Sequence, residues 1–468
     1  MAIASRTFLL LFLPLTVALY YLVFRSSRYK VLFLLFASYL FYGLGDWKFV
    51  PLLLVLSLVT YFFSRRGWFG WGVALNLIAL GVFKYWNFGI GNLNALTSIF
   101  SIDLMGGILK LGLPLGISFY IFKHIGYLLD VKQEKYPASS DILAFLTFSA
   151  YFPQISAGPI SSYNDTVGQF GQLPDKLDKG KLFEALVYIS IGLSKKVLIA
   201  DTLGDFLASS YNKIGGFNGL LPAWYVVIAY TGQLYFDFSG YTDMVIGVSK
   251  LFGINLPQNF NNPYLSSNPA EFWERWHISL SQWIRDYIFT PLSLSLLKRW
   301  GTQRNHVARY VANIVTMTII GLWHGASWSY ILWGTYHGVL LNLNAWMKRR
   351  PKRLAGWITK PLFLVAILLG WALFMSPSAD YMKYLFQQLA GLQGLGDMTL
   401  LKKIFFDQAT PVLLIAIPVA LSGYTEARNF LNSATSTRNR WIAFGLGLLA
   451  VFCIWFMKTR IQFLYVQF

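Results

Sequence analysis

The chain has 468 residues, of which 56% are hydrophobic, 18% aromatic and only 13% charged, against roughly 25% charged residues in a soluble globular domain. This composition excludes a soluble globular protein and predicts a membrane protein, and a single cysteine excludes a disulfide framework. The net charge of +19 comes from short basic clusters between apolar runs, a pattern that marks cytoplasmic loops rather than a nucleic-acid-binding surface.

The first apolar run covers residues 8–24 and follows Arg6. It resembles a signal sequence, but bulky Tyr20, Tyr21 and Phe24 stand where a cleavage site requires small residues. We therefore expect an uncleaved first span. Three basic residues follow it within a few positions, which favours an external N-terminus and a cytoplasmic first loop.

Further apolar runs recur along the whole chain, and a helix needs about 20 such residues to cross a bilayer. The runs predict an all-α polytopic protein with about 11–13 transmembrane or re-entrant helices in one domain, 1–468, with a catalytic core near 112–346 and C-terminal helices over 358–468. The predicted spans are 8–24, 31–44, 49–63, 70–86, 112–129, 141–155, 183–200, 222–236, 308–322, 328–346, 358–375, 410–423 and 441–457.

Three polar stretches do not fit a simple span. They are 232–244 with Asp237 and Asp243, 257–265 with an Asn-Pro pair, and 269–291. We expect the backbone to leave the helix there and to be buried in protein or to line a wet cavity. The two aspartates would serve a proton or cation relay, or cap broken helices and pair with buried arginine.

The stretch 269–291 has the pattern of one amphipathic or re-entrant helix at the cytoplasmic interface. Pro269 begins it, and Glu271 precedes Arg275 by four residues, a spacing that permits a helical ion pair. Its predicted apolar stripe comprises Trp276, Leu280, Trp283 and Tyr287, and its polar stripe comprises His277, Ser281 and Arg285.

His324 is the most suggestive polar residue because it lies within an apolar run, where an ionisable group is a functional candidate. The alternative is a neutral histidine that only locks helix packing. Gly321 and Gly325 flank it and allow a neighbouring helix to approach. We expect His277 to reach the same region. Helical spacing from His324 predicts His337 on a nearly opposite helix face, and it is interpreted as structural, as is His124.

The pattern of histidines does not predict a metal site, because no close histidine pair or His/Asp cluster occurs in the sequence. No glycine-rich phosphate loop or nucleophile elbow is present either. The chemistry that the sequence still permits is general acid/base catalysis by histidine in a buried channel.

At these residues the chain resembles the membrane-bound O-acyltransferase (MBOAT) family, and within it the bacterial alginate O-acetyltransferase subgroup. The matching stretches are 113–120 (LPLGISFY), 152–159 (FPQISAGP), 233–241 (QLYFDFSGY), 262–264 (NPY), 271–280 (EFWERWHISL), 285–287 (RDY) and 321–325 (GLWHG).

The resemblance implies a funnel-shaped helical bundle in the bacterial cytoplasmic membrane with a central tunnel. In that tunnel His324 matches the essential histidine and His277 the second one. Candidates to line or support the tunnel are Asp237, Trp323, Trp276, Arg285 and Asn262. The resemblance also implies acetyl-CoA as the donor, with no bound cofactor, a polysaccharide acceptor and an extracytoplasmic hydrolase-like acetyltransferase partner.

The C-terminal stretch 460–468 looks like the aromatic tail of related cell-envelope acylation systems, in which Tyr465 matches a proposed acyl carrier. The alternative is an interfacial aromatic anchor. Other acceptors remain open: peptidoglycan, cellulose, or teichoic acid that receives D-alanine from a carrier protein. A proton-coupled transporter is disfavoured because the sequence shows no repeated halves, and a scaffolding protein because of its polar motifs.

Overall fold

The computed structural model of the protein describes residues 2–98, 111–210, 214–350, 355–397, 399 and 437–457. Within these ranges all regular elements are helical, and one isolated antiparallel bridge joins Phe260 to Trp276. The prediction of an all-α protein is therefore confirmed. The predicted span 410–423 and Tyr465 lie outside the described residues.

Ten helices lie in the described residues up to 210. They are α1 (Leu13–Leu22), α2 (Ser27–Asp46), α3 (Val50–Arg65), α4 (Phe69–Leu80), α5 (Trp86–Ser98), α6 (Ile117–Lys132), α7 (Ile142–Ala150), α8 (Tyr163–Val167), α9 (Lys179–Leu193) and α10 (Asp201–Ser210).

Nine more helices lie in the described residues from 214 onward. They are α11 (Leu220–Leu251), α12 (Pro269–Arg275), α13 (Ile278–Ile284), α14 (Thr290–Trp300), α15 (Asn305–His324), α16 (Trp328–Met347), α17 (Gly356–Phe374), α18 (Ala379–Leu389) and α19 (Thr437–Phe456). Several helices begin at a polar side chain that accepts a backbone N–H of the first turn, as expected of N-caps. These residues are Asp141, Ser162, Asp178, Asn268, Ser327 and Ser378.

Wider π-helical turns join or extend some helices, and such turns often mark functional positions. In the described residues they are Phe8–Phe12, Gly81–Tyr85, Ser194–Ala200 and Arg285–Phe289. Two of these turns carry lysines inside otherwise apolar sequence: Lys84 in one, and Lys195 and Lys196 in the other.

The side chains are distributed as in a membrane protein. Among the described residues, three helical segments are long and apolar enough to cross a membrane: Ser27–Arg65, Phe69–Ser98 and Gly356–Phe374. Large apolar side chains point outward, with Trp71 72% exposed, whereas ionisable residues such as His124 and Asp237 are buried. The exposed apolar surface departs from the pattern of a soluble protein, in which large exposed apolar surfaces are rare.

The expectation that residues 232–244 leave the helix is wrong, because α11 runs unbroken from Leu220 to Leu251. The two carboxylates on α11 are buried without any irregular backbone around them. Asp237 lies 2.7 Å from Nζ of Lys196, and Asp243 lies 2.6 Å from Nζ of Lys195, so the π-helical turn Ser194–Ala200 neutralises both. The partners are lysines and not the arginine that we expected. The loop predicted over 257–265 is confirmed, and it ends in a 3-10 turn at Pro263–Leu265.

Candidate active site around two buried histidines

The hairpin of α15 and α16 is built around facing glycines. A Cβ atom placed on Gly321 would lie 2.1 Å from the carbonyl oxygen of Tyr330, and one on Gly334 would lie 2.2 Å from that of Met317. Only glycine permits this approach. The close contact predicted for Gly321 is confirmed, and it places the end of α15 in the protein interior.

His324 is the last residue of α15 and is buried. Three aromatic rings surround its imidazole: Trp323 with centroids 4.8 Å apart, Trp333 of α16 at 5.0 Å, and Phe374 of α17 at 5.3 Å. Because each ring meets the imidazole at a steep angle, the histidine has a fixed orientation. Its position at a helix C-terminus also favours a positive charge during proton transfer.

His277 lies at a break in the chain that the sequence analysis did not predict. The single helix expected over 269–291 is wrong, because α12 ends at Arg275 and α13 begins at Ile278. His277 adopts φ 43° and ψ 54°, the left-handed region, which is uncommon for a residue other than glycine. Such strain is often found at functional sites. The predicted helix start at Pro269 and the Glu271–Arg275 ion pair, 2.8 Å apart, are confirmed.

The indole of Trp323 links the two histidines. Its centroid lies 6.4 Å from that of His277 and 4.8 Å from that of His324, and the two imidazoles interact electrostatically. Trp323 is itself stacked on Phe122 of α6 at 5.2 Å, and Phe238 of α11 packs on His277 at 4.8 Å. Two motifs that are distant in sequence therefore meet at one point.

Lys84 belongs to this site, although the sequence analysis did not select it. Its Nζ lies 5.2 Å from the centroid of Trp323 and 3.4 Å from the hydroxyl of Ser118, and its charge interacts with His324. The signal was available, since an ammonium group inside an apolar run indicates function for the same reason as His324 does.

Further contacts join the other polar motifs to the same region. A Cβ on Gly116 would lie 1.8 Å from the carbonyl oxygen of Ile155, so the stretch 113–120 packs against 152–159. The N–H of Ile160 then donates to the hydroxyl of Ser279, 2.9 Å away, two residues after His277. Stretches from four parts of the chain thus support one site.

Comparison with known proteins identifies the protein family to which this chain belongs. The family model described as "MBOAT, membrane-bound O-acyltransferase family" matches residues 34–375. The chain belongs to this family. It is 37% identical to the probable alginate O-acetylase of Azotobacter vinelandii over 446 residues, covering 91% of this chain and 85% of the relative. This membrane protein is therefore an acyltransferase.

Two further relatives carry other names. The peptidoglycan O-acetyltransferase of Helicobacter pylori is 31% identical over 433 residues, covering 83% of this chain and 79% of that protein. The teichoic acid D-alanyltransferase of Streptococcus thermophilus is 33% identical over 243 residues, covering 50% of this chain and 58% of that protein. The three relatives share acyl transfer in their names and differ in the acceptor.

The remaining predicted site residues of the acyltransferase lie at different distances from the histidines. Trp276 is buried and packs on Phe260 and Trp371, with ring centroids 5.0 and 4.9 Å apart. This packing supports the chain break at the neighbouring His277. Asn262 adopts the left-handed conformation before the 3-10 turn. Arg285 is exposed, and its Nε pairs with neighbouring Asp286 at 3.2 Å, so it lies at the surface.

Asp237 of the acyltransferase is part of a buried ionic network. Nζ of Lys196 lies 2.7 Å from carboxylate oxygens of both Asp237 and Asp201. A buried ammonium between two carboxylates holds α10 and α11 to the π-helical turn that carries it, because separating any of these charges in a low dielectric is costly. This network is structural support for α11. Phe238, which follows Asp237 on this helix, contacts His277.

His337 lies on α16 and His324 on α15, so helical spacing does not relate the two residues, and the prediction of a nearly opposite helix face is wrong. The turn at Gly325–Ser327 separates α15 from α16 and folds His337 back toward the site. Trp333 contacts both imidazoles, with centroids 5.0 Å from His324 and 5.0 Å from His337. His124, in contrast, is hydrogen-bonded to Asn76 and Ser149, at 3.0 and 2.7 Å, as a structural histidine would be.

Proposed function

We propose that this acyltransferase moves an acetyl group from acetyl-CoA toward O-acetylation of an extracytoplasmic polysaccharide of the alginate type. The observation that carries the proposal is the placement of His324 and His277 on either side of Trp323 in the protein interior. The acetyl group and the polysaccharide are supported by the alginate O-acetylase relatives, one of which aligns with 91% of this chain.

In the proposed reaction His324 acts as a general base. Its neutral imidazole takes the proton of an acceptor hydroxyl while the oxygen attacks the thioester carbonyl, and the proton then passes to the departing thiolate. Such assistance accelerates a reaction by about 10²–10⁴-fold. The aromatic surroundings exclude water, so the thioester is protected from hydrolysis.

Lys84 would stabilise the charge that develops at the carbonyl oxygen, and His277 would orient the acceptor hydroxyl. Both groups interact electrostatically with His324, and Lys84 is held over Trp323 at 5.2 Å. A fixed donor or cation in a water-poor site is effective because it needs no reorganisation during the reaction. Asp237, Trp276 and Asn262 would maintain the tunnel walls around these groups.

A basic cavity at the opposite end of α15 supports a phosphorylated donor such as acetyl-CoA. The cavity has a volume of about 230 Å³ and lies between α12, α15 and α16. Arg309, Lys348 and Arg349 line it together with Asn313 and Asn344, which is the chemistry that binds phosphate. Arg309 precedes His324 by 15 residues, which corresponds to about 22 Å of helix, a separation that an extended phosphopantetheine arm would bridge.

The same basic end supports a cytoplasmic orientation for donor entry. Lys348 and Arg349 follow α16, and basic loops remain on the cytoplasmic side of membranes. We therefore propose a multi-pass protein of the bacterial cytoplasmic membrane, with a tunnel from this cavity to an acceptor on the outer side. An extracytoplasmic hydrolase-like acetyltransferase would complete transfer to the polymer, with Tyr465 as a candidate acyl carrier between the two.

Peptidoglycan is the second candidate acceptor, because the Helicobacter pylori relative aligns with 83% of this chain. Both candidates use the same site chemistry and differ in the partner that receives the acetyl group. The acetyl content of purified exopolysaccharide and of purified peptidoglycan distinguishes them when the gene is deleted.

The test of the proposed function uses that deletion strain, complemented with the wild-type chain or with His324→Ala. We expect the wild-type chain to restore acetyl esters on the exopolysaccharide, measured by NMR of the polymer, and His324→Ala to restore none at equal membrane abundance. Full acetylation with His324→Ala would contradict the role of His324. Unchanged polysaccharide in the deletion strain would contradict the acceptor.

A further inference from the structure

Arg6, which precedes the first span, contacts the last turn of α19 near the other end of the chain. Its Nη2 donates to the carbonyl oxygens of Trp455 at 2.6 Å and Met457 at 2.8 Å, and its Nε donates to that of Ile454 at 3.0 Å. We name these three hydrogen bonds the Arg6 clamp. One guanidinium group therefore joins the start of the first span to the end of α19.

The end of a helix needs such partners, particularly in a membrane. The last carbonyl groups of a helix have no N–H partner within it, and the hydrocarbon of a bilayer offers no donor in their place. α19 has no basic residue in its own last turn. A guanidinium supplies several charged N–H donors in a fixed plane and interacts favourably with the negative end of the helix dipole. Arg6 thus caps α19 from a distant part of the sequence.

A second contact fixes the side of α19 that faces the protein. Cys453 is 0% exposed, and its sulfur lies 3.9 Å from the hydroxyl of Ser194, the first residue of the π-helical turn Ser194–Ala200. Trp455, two positions further along, is 79% exposed. α19 is therefore held along one face by the π-helical turn and at its end by the Arg6 clamp.

The Arg6 clamp fixes the point where the C-terminal tail begins. We define the tail as residues 458–468, which lie outside the described residues and follow Met457 directly. Tyr465 is eight positions after Met457, so it lies within about 29 Å of the end of α19 even in a fully extended chain. The end of α19 therefore limits where this phenol can act.

The clamp also relates the tail to one face of the membrane. The N-terminus is expected on the outer side, because more basic residues follow the first span than precede it. Since Arg6 bonds to Met457, the tail then begins on that same side, opposite the basic cavity that we assign to donor entry. The outer side is where the polysaccharide and the acetyltransferase partner would receive the acetyl group.

We infer that Arg6 is a positioning residue, which holds the end of α19 so that Tyr465 is presented for acyl transfer. The clamp itself stands on the three hydrogen bonds, whereas its effect on transfer rests on the proposed function. In the step that it serves, the acetyl group leaves the sulfur of CoA for the phenol oxygen of Tyr465. The C–S bond breaks, a C–O ester bond forms, and the phenol proton ends on the released thiol.

Distances between spin labels test the clamp in the intact protein. We place labels at Leu22→Cys and Trp455→Cys, because both side chains are 79% exposed, with Cys453→Ala in every protein compared. In lipid nanodiscs, double electron–electron resonance should give one narrow distance distribution, and Arg6→Met should broaden it. Arg66→Met, which changes another exposed arginine, should leave it narrow. Equal widths in Arg6→Met and Arg66→Met overturn the clamp.

Mass spectrometry of the C-terminal peptide tests the positioning role. Protein in vesicles receives labelled acetyl-CoA, and acetyl on Tyr465 is followed with time. We expect Arg6→Met to lower the initial rate at least about tenfold, because a misplacement of about 1 Å lowers rates by up to about 10²-fold. KM for acetyl-CoA should be unchanged, since the donor enters at the opposite face, and Arg6→Lys should recover part of the rate. Equal rates in Arg6→Met and Arg66→Met overturn the role.

A double variant separates positioning from a general loss of structure. If Arg6 acts only through Tyr465, polysaccharide acetylation by Arg6→Met with Tyr465→Phe equals that of Tyr465→Phe alone. A further loss in the double variant overturns the positioning role, as does a wild-type protein that never carries acetyl on Tyr465. Failure of the proposed function would instead appear as an active His324→Ala variant, while the spin-label result would stand.

Discussion

Nδ1 of His277 lies 3.4 Å from Oδ1 of Asn259. The same oxygen accepts the backbone N–H of Ser279 at 3.1 Å and its hydroxyl at 2.6 Å. Because a backbone N–H can only donate, this atom of Asn259 is the amide oxygen, and His277 must donate to it through Nδ1. The neutral ring therefore carries its lone pair on Nε2, the nitrogen that can serve the reaction.

Asn259→Ala should reduce acetyl transfer by about 10- to 100-fold, the loss seen when a partner that orients a functional histidine is removed from metal sites. The variant releases His277 from its left-handed conformation and leaves the N–H of Ser279 unpaired. Transfer from labelled acetyl-CoA in membrane vesicles measures the effect. Asn259→Asp keeps an accepting oxygen and should retain more activity, so equal loss in both variants would refute the orienting role.

Gly321→Ala should prevent close packing of α15 and α16. Its new methyl group would meet the carbonyl oxygen of Tyr330, and overpacking of this kind costs about 1–3 kcal/mol or more. We expect a lower melting temperature in detergent and loss of transfer together. Gly89→Ala is the matched control, because no atom lies within 4 Å of a Cβ at that helical position. A Gly321→Ala protein as stable as the Gly89→Ala protein would contradict the packing of this hairpin.

Lys196→Met should destabilise the fold strongly. The change leaves the carboxylates of Asp201 and Asp237 buried without their ammonium partner, and breaking a buried pair in this way costs about 3–5 kcal/mol. Arg285→Ala removes an ion pair with Asp286 that is exposed on both sides, so its melting temperature should stay close to that of wild type. Thermal unfolding of the two variants, measured in parallel, checks the contrast, and an equal effect would argue against the buried network.

Lys84→Met should lower kcat by about 10²–10³-fold, as the loss of one fixed charge-stabilising group does in other acyl-transfer sites. Methionine keeps most of the apolar stem of lysine and removes the charge over Trp323. Lys48→Met, at an exposed position, serves as the control for loss of a lysine. Wild-type turnover in Lys84→Met would assign Lys84 to packing alone.

The sequence was sufficient to predict the helical class, the ion pair of Glu271 with Arg275 and the close approach at Gly321. These features depend on local spacing or on composition. The break at His277 was missed because periodicity over 269–291 continues through it. Asn259, a residue distant in sequence, accepts the hydrogen bonds from His277 and Ser279 that stabilise the left-handed backbone there.

The ion pairs of α11 show a second limit of sequence analysis. Asp237 and Asp243 looked incompatible with a continuous helix because their partners, Lys196 and Lys195, lie on another segment. The position of His337 was misjudged for a related reason. The prediction applied helical spacing from His324 to His337, but between them, at Gly325, the backbone turns from helical to extended, with φ −170° and ψ 152°. Tertiary pairing decides such cases, and local pattern does not contain it.

Single-turnover acetyl transfer by the acyltransferase in lipid vesicles tests the central claim most directly. Radiolabelled acetyl-CoA is supplied on the side of the membrane that carries the basic cavity at Arg309. Loss of the thioester is followed for wild type, His324→Gln and His306→Gln. The last variant is the control, because His306 is exposed. General base catalysis by His324 predicts wild-type rates for His306→Gln and a fall of about 10²–10⁴-fold for His324→Gln. Equal rates for His324→Gln and wild type would contradict it.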